Sequence, residues 1–117
     1  MANPFVHVEL NTNNLGKAKP FYENLFGWKL ADVPQMNYTM VEVGEGTGGG
    51  MMEMKEQSPM WLAYVQVDDV RAATQKVKAL GGSVLKDVTE VPGMGWFSVI
   101  ADPTGATLGL WQSTKKS

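Results

Sequence analysis

Shifting the chain against itself by 55 positions brings Leu10 onto Val65, Leu15 onto Val70, Ala18 onto Ala73, Tyr22 onto Val77, Leu25 onto Leu80, Gly27 onto Gly82 and Leu30 onto Leu85. The match is one of pattern, and a chain patterned this way must build its fold twice from one small unit. Each half opens with a run of period two: Val6, Val8, Leu10 in the first and Ala63, Val65, Val67 in the second. That alternation predicts a strand with one buried face. Paired cap residues follow, Asn13-Asn14 and Asp68-Asp69. Apolar residues then recur at helical spacing: Leu15, Ala18, Tyr22, Leu25, and Val70, Ala73, Val77, Leu80. Two amphipathic helices are predicted, each ending at glycine, Gly27 and Gly81-Gly82. Pro20 lies inside the first and predicts a kink or an irregular first half. Three short strands follow each helix: Trp28 to Val33, Tyr38 to Val43 and Gly50 to Met54, then Ser83 to Val88, Gly95 to Ala101 and Ala106 to Gln112. The expected fold is α+β, two tandem βαβββ modules at about residues 4–56 and 59–114 within one domain. They should join as a curved eight-stranded sheet with the helices on its convex side.

Composition narrows the function. The 117 residues are 44% hydrophobic, and 10 basic against 12 acidic residues leave a net charge of −2, so neither nucleic acid nor another polyanion is an expected partner. Cysteine is absent and His7 is the single histidine. This removes disulfides, thiolate zinc sites and cysteine nucleophiles, and it fits a cytoplasmic protein. No apolar run approaches the roughly 20 residues of a membrane span and no signal core opens the chain, so a soluble, unprocessed protein without a membrane partner is expected.

Alternation also sorts side chains between two sheet faces. Val6, Val8 and Leu10 belong beneath the first helix, leaving Phe5, His7, Glu9 and Asn11 opposite. By the same rule Leu62, Tyr64 and Gln66 lie opposite the second helix. Thr39, Val41 and Val43 go to the core and leave Tyr38, Met40 and Glu42; Phe97 and Val99 go to the core and leave Trp96, Ser98 and Ile100; the last strands add Met52 and Trp111. Methionines and aromatics with a few polar groups are the composition of a small-molecule cavity or of a subunit interface. Tyr38, Met40, Glu42, Met52, Tyr64, Trp96, Ser98 and Trp111 are the expected ligand-binding residues. His7 and Glu9 are the candidates for acid–base chemistry, with Glu42 a third titratable group on that face. The plain alternative for His7 is a neutral imidazole bonded to Glu9 or to a neighbouring hydroxyl. Gly44 to Gly50 lacks the Lys-Ser/Thr ending of a phosphate loop and reads as a hairpin loop.

The paired modules, His7 in the first strand, Phe21-Tyr22 ahead of Leu25-Phe26-Gly27-Trp28, Pro92-Gly93-Met94-Gly95-Trp96-Phe97, and Asp102-Pro103-Thr104-Gly105 before the last strand resemble the vicinal oxygen chelate superfamily. That group includes glyoxalases, fosfomycin- and bleomycin-resistance proteins and extradiol dioxygenases, and the resemblance covers nearly the whole chain. It implies metal ligands on the first and fourth strands of each module. Here those positions are His7, Gly50, Leu62 and Gly109, and only His7 carries a donor atom. No cofactor is therefore expected; a divalent metal would need Glu9 or Glu53 to join His7. The resemblance leaves two readings: a binder of small apolar or aromatic molecules, or a glyoxalase-like lyase, isomerase or dioxygenase acting on a small carbonyl or phenolic substrate. A homodimer is expected in either case, because the sheet leaves edges and apolar side chains for a second copy to cover.

Overall fold

The structure is a computed structural model that describes residues 3–114. The described residues divide into two units, one of residues 6–62 and a second of residues 3–5 and 63–114. The elements run β1 (Phe5–Thr12), α1 (Leu15–Phe26), β2 (Lys29–Val33), β3 (Tyr38–Glu42), β4 (Gly49–Glu53), β5 (Met60–Gln66), α2 (Val70–Ala79), β6 (Ser83–Val91), β7 (Gly95–Ala101) and β8 (Thr107–Ser113). The fold class is α+β, and the repeat read from the sequence is the repeat of the elements.

In the first unit the strands hydrogen-bond in the order β2-β3-β4-β1, antiparallel except for the parallel β1–β4 pair. Register puts Leu10 beside Met51 and Met51 beside Thr39. All three are buried, and Leu10, Val41 and Met51 form a core that Leu15, Ala18 and Tyr22 of α1 cover. The Asn14 side chain accepts the Lys17 N–H at 3.1 Å, and Gly27 closes the other end at φ 73°. Such a side-chain cap contributes about 1 kcal/mol. The kink expected from Pro20 does not break the helix, which runs continuously from Leu15 to Phe26. A proline there removes one backbone donor while both caps still hold the ends.

The second unit repeats the arrangement as β5-β8-β7-β6. Asp69 caps α2 by accepting the Ala72 N–H at 3.0 Å. Beneath α2 the Ser98 and Thr74 hydroxyls are 2.8 Å apart, with Thr74 also donating to the Val70 carbonyl. Ser98 is fully buried, so this polar pair is satisfied within the core rather than by water. Ser98 thus faces α2, not the opposite side as the alternation reading had it. Trp96, two residues away, shares that face and lines a hollow at the start of α2 with Asp68, Asp69, Arg71 and Gln112. Phe97 takes the opposite side, where its ring meets that of Tyr64 edge-on at 6.3 Å. The inversion follows from ranking Phe97 and Val99 as core by hydrophobicity alone, when a serine with a hydroxyl partner on the helix fills that place.

Candidate functional site

In the first unit, the side of the sheet away from α1 brings His7 and Tyr38 together. Nε2 of His7 and the Tyr38 hydroxyl are hydrogen-bonded at 2.7 Å, with the rings nearly parallel at 23° and their centroids 6.2 Å apart. Both side chains are half-buried. Burial pulls the His7 pKa below its ordinary 6.5, because the charged imidazolium loses solvation there. The ring is accordingly neutral at pH 7 and exchanges a hydrogen bond with the phenol as a neutral partner.

Gly50 makes the geometry possible. It pairs with Glu9 on one side and Met40 on the other. A Cβ at Gly50 would overlap the hydroxyl end of the Tyr38 side chain. Tyr38 therefore occupies the space into which any fourth-strand side chain would project. The second unit repeats the device: Gly109 pairs with Tyr64, and a Cβ there would overlap the Tyr64 ring. Trp111 pairs with Phe97 in register and so lies on the Tyr64 side of its sheet.

The other expected residues are placed as follows. Glu9 is buried, on the strand face it shares with His7. Met52 is half-buried, whereas Met40 and Glu42 are exposed. Glu53, the carboxylate considered as a rescuing ligand, belongs elsewhere. Its Oε1 accepts the Leu15 N–H at 2.9 Å at the first turn of α1, and Lys55 lies 3.2 Å from its Oε2. Those bonds, the Leu15 N–H foremost, hold its carboxyl below the usual carboxylate range. Among the described residues, no three His, Cys, Asp or Glu side chains converge as a metal group would require. At the two fourth-strand positions the glycines carry no side-chain donor, and the Tyr38 and Tyr64 rings lie where a side chain would begin. The hydroxyl that the sequence reading allowed as a partner for His7, without naming it, is that of Tyr38.

The comparisons bear on this geometry. The Glyoxalase/Bleomycin resistance protein/Dioxygenase superfamily matches residues 5–110. The chain belongs to this superfamily. Lactoylglutathione lyase of Neisseria meningitidis serogroup A is 32% identical over 96% of this chain and 91% of its own length. CFP32 of Mycobacterium bovis, which carries a provisional glyoxylase name, is 35% identical over 92% of this chain but only 45% of its own. The chain thus spans about half the length of the first curated relatives it matches. Among solved structures, a Bacillus halodurans protein superposes with a TM-score of 0.72 over 100% of this chain and 99% of that one, at 16% identity. Methylmalonyl-CoA epimerase of Mycobacterium tuberculosis gives 0.69 over 95% and 88%, at 14% identity. At these identities the likeness is one of fold.

Proposed function

We propose that this superfamily member binds small apolar or aromatic molecules on the His7–Tyr38 face without a metal centre. The observation that carries the reading is the Tyr38 ring seated over Gly50, where a fourth-strand ligand would otherwise stand. Met40 and Met52 border that face, and unbranched thioethers repack readily around ligands of different shape. Chemistry is the second reading, favoured by the lyase relative: His7 would act as general base on a small carbonyl or phenolic substrate, with Glu9 as the second acid–base group. The two readings separate in one set of measurements. Binding of small aromatics should survive exhaustive chelation, and protein purified without chelator should hold metal well below one equivalent. Stoichiometric metal that is lost together with binding in His7→Ala would contradict the proposal and favour the enzyme.

The same reading takes the working form as a homodimer, one domain per chain with modules near residues 4–56 and 59–114. Phe21, Leu25 and Phe26 of α1 and Trp61 are exposed at 58%, 57%, 57% and 40%. Tyr22 and Trp28 stack behind them, with Tyr22 5.7 Å from Trp28 and 5.4 Å from Trp61 between ring centroids. An apolar patch of this kind marks an interaction surface. Sedimentation at micromolar concentration should show a dimer, and Phe21→Glu combined with Phe26→Glu should give monomer; a monomeric native chain contradicts it. The net charge of −2 gives no reason to expect a nucleic-acid partner, and no helix of the described residues is long and apolar enough to cross a membrane.

A further inference from the structure

Asn11 is the residue of β1 that the strand itself does least to explain. Asparagine is disfavoured inside strands, yet this one is only 5% exposed. Alternation along β1 puts it on the side away from α1 with His7 and Glu9, and the β1–β4 register sets the half-buried Met52 beside it. On that face His7 and Tyr38 are bonded to each other. The Asn11 carboxamide, by contrast, enters no hydrogen bond among the described residues, and neither of its polar atoms is sealed from solvent. A carboxamide presents one acceptor and two donors. Sinking them beside apolar groups without a protein partner destabilises the fold, and a few such polar groups in apolar surroundings are what orient a ligand in a binding site.

We infer that the Asn11 carboxamide is the polar contact for an uncharged amide on the ligand. The ligand class is a small aromatic molecule carrying a primary amide or a lactam edge. This rests on the binding reading above and adds the group that orients what binds. An amide edge offers one N–H and one carbonyl side by side, so its N–H donates to Asn11 Oδ1 while Asn11 Nδ2 donates to its carbonyl. Both halves of the side chain are matched at once. A hydrocarbon of the same shape matches neither. An ionised carboxylate finds no counter-charge on Asn11, and burying an unpaired ion beside Met52 is costly.

The test titrates benzamide, α-methylstyrene and benzoate into the full chain and follows binding by two-dimensional proton–nitrogen NMR. The three share one planar skeleton and differ in the two groups on the carbon attached to the ring. Asn11→Leu should weaken benzamide about ten-fold while α-methylstyrene changes by less than about two-fold, the contrast expected when one polar contact is removed. The side-chain NH2 signals of Asn11, identified by their loss in that variant, should move when benzamide binds. The thermal midpoint of the ligand-free Asn11→Leu chain should not fall, since no protein partner is lost. Asn11→Asp keeps the shape and replaces the NH2 donors by an oxygen, so benzamide should weaken there as well. Benzoate should bind the native chain more weakly than benzamide. Equal losses for benzamide and α-methylstyrene, benzamide indifferent to both substitutions, or benzoate binding more tightly than benzamide overturns the inference and leaves the binding reading standing. Failure of all three probes to bind overturns the binding reading, and the inference falls with it.

Discussion

Gly49→Ala will cost about 3 kcal/mol or more of folding stability, whereas Gly50→Ala, one residue on, will cost about 1–2 kcal/mol. Both glycines lie in β4, both are buried and neither has a positive φ, so the sequence gives no reason to separate them. The difference lies in what an added methyl meets. At Gly49 it meets the Val8 carbonyl oxygen of β1, which is backbone and is held in the parallel β1–β4 ladder. Relief there requires the two strands to part, with loss of hydrogen bonds on both sides. At Gly50 the methyl meets the Tyr38 ring, a side chain that can rotate away at the expense of its bond to His7. Chemical denaturation of the two variants, with near-ultraviolet circular dichroism to follow the tyrosine, checks the ranking. Equal losses would mean that the two contacts do not differ in kind.

Met51→Ala will destabilise the chain by about 2–5 kcal/mol, the range for removing a long side chain from a closed core. Met51 is wholly inaccessible and packs with Leu10 and Val41, under a helix that has no fully buried residue of its own. Few neighbours can collapse into the space, because on this face α1 contributes only half-buried Leu15, Ala18 and Tyr22. Met36, 41% exposed, provides the control: its alanine variant should stay within about 0.5 kcal/mol of the native chain by thermal unfolding. A Met51 loss as small as that of Met36 would show that the first-unit core is not closed around it.

Much of the fold was legible because its signals are local. Alternation marked β1, cap residues marked the start of both helices, and glycine marked their ends. Register between β3, β4 and β1 then followed the apolar pattern, so Leu10, Val41 and Met51 met as a core. Ser98 shows where such reading stops. A serine inside a strand carries no sign of the hydroxyl that will face it, and Thr74 is 24 positions away along the chain. The register Phe97↔Trp111 could have exposed the error, since residues opposite one another in a ladder share a face and Trp111 had been assigned away from the helix. The site was legible in part. His7 and Tyr38 were both assigned to one face, but their bond depends on a glycine opposite and on ring orientations that no periodicity encodes. Glu53 looked like a spare carboxylate in sequence and proved to be bound to the first turn of α1.

The pH dependence follows from His7. Its pKa is lowered in the folded chain, so the unfolded chain binds more protons once the pH drops below the ordinary 6.5. The stability that neutral His7 allows is complete above pH 6.5 and is lost as the pH falls from there toward the folded pKa. Because His7 is the single histidine, a nitrogen-15 NMR titration of its ring reads that pKa with no ambiguity of assignment. The account predicts a midpoint below 6.5 and an Nε2 resonance that moves in Tyr38→Phe while Nδ1 stays nearly in place. A midpoint at or above 6.5, with Nε2 indifferent to the loss of the phenol, would contradict a neutral His7–Tyr38 pair as the centre of this site.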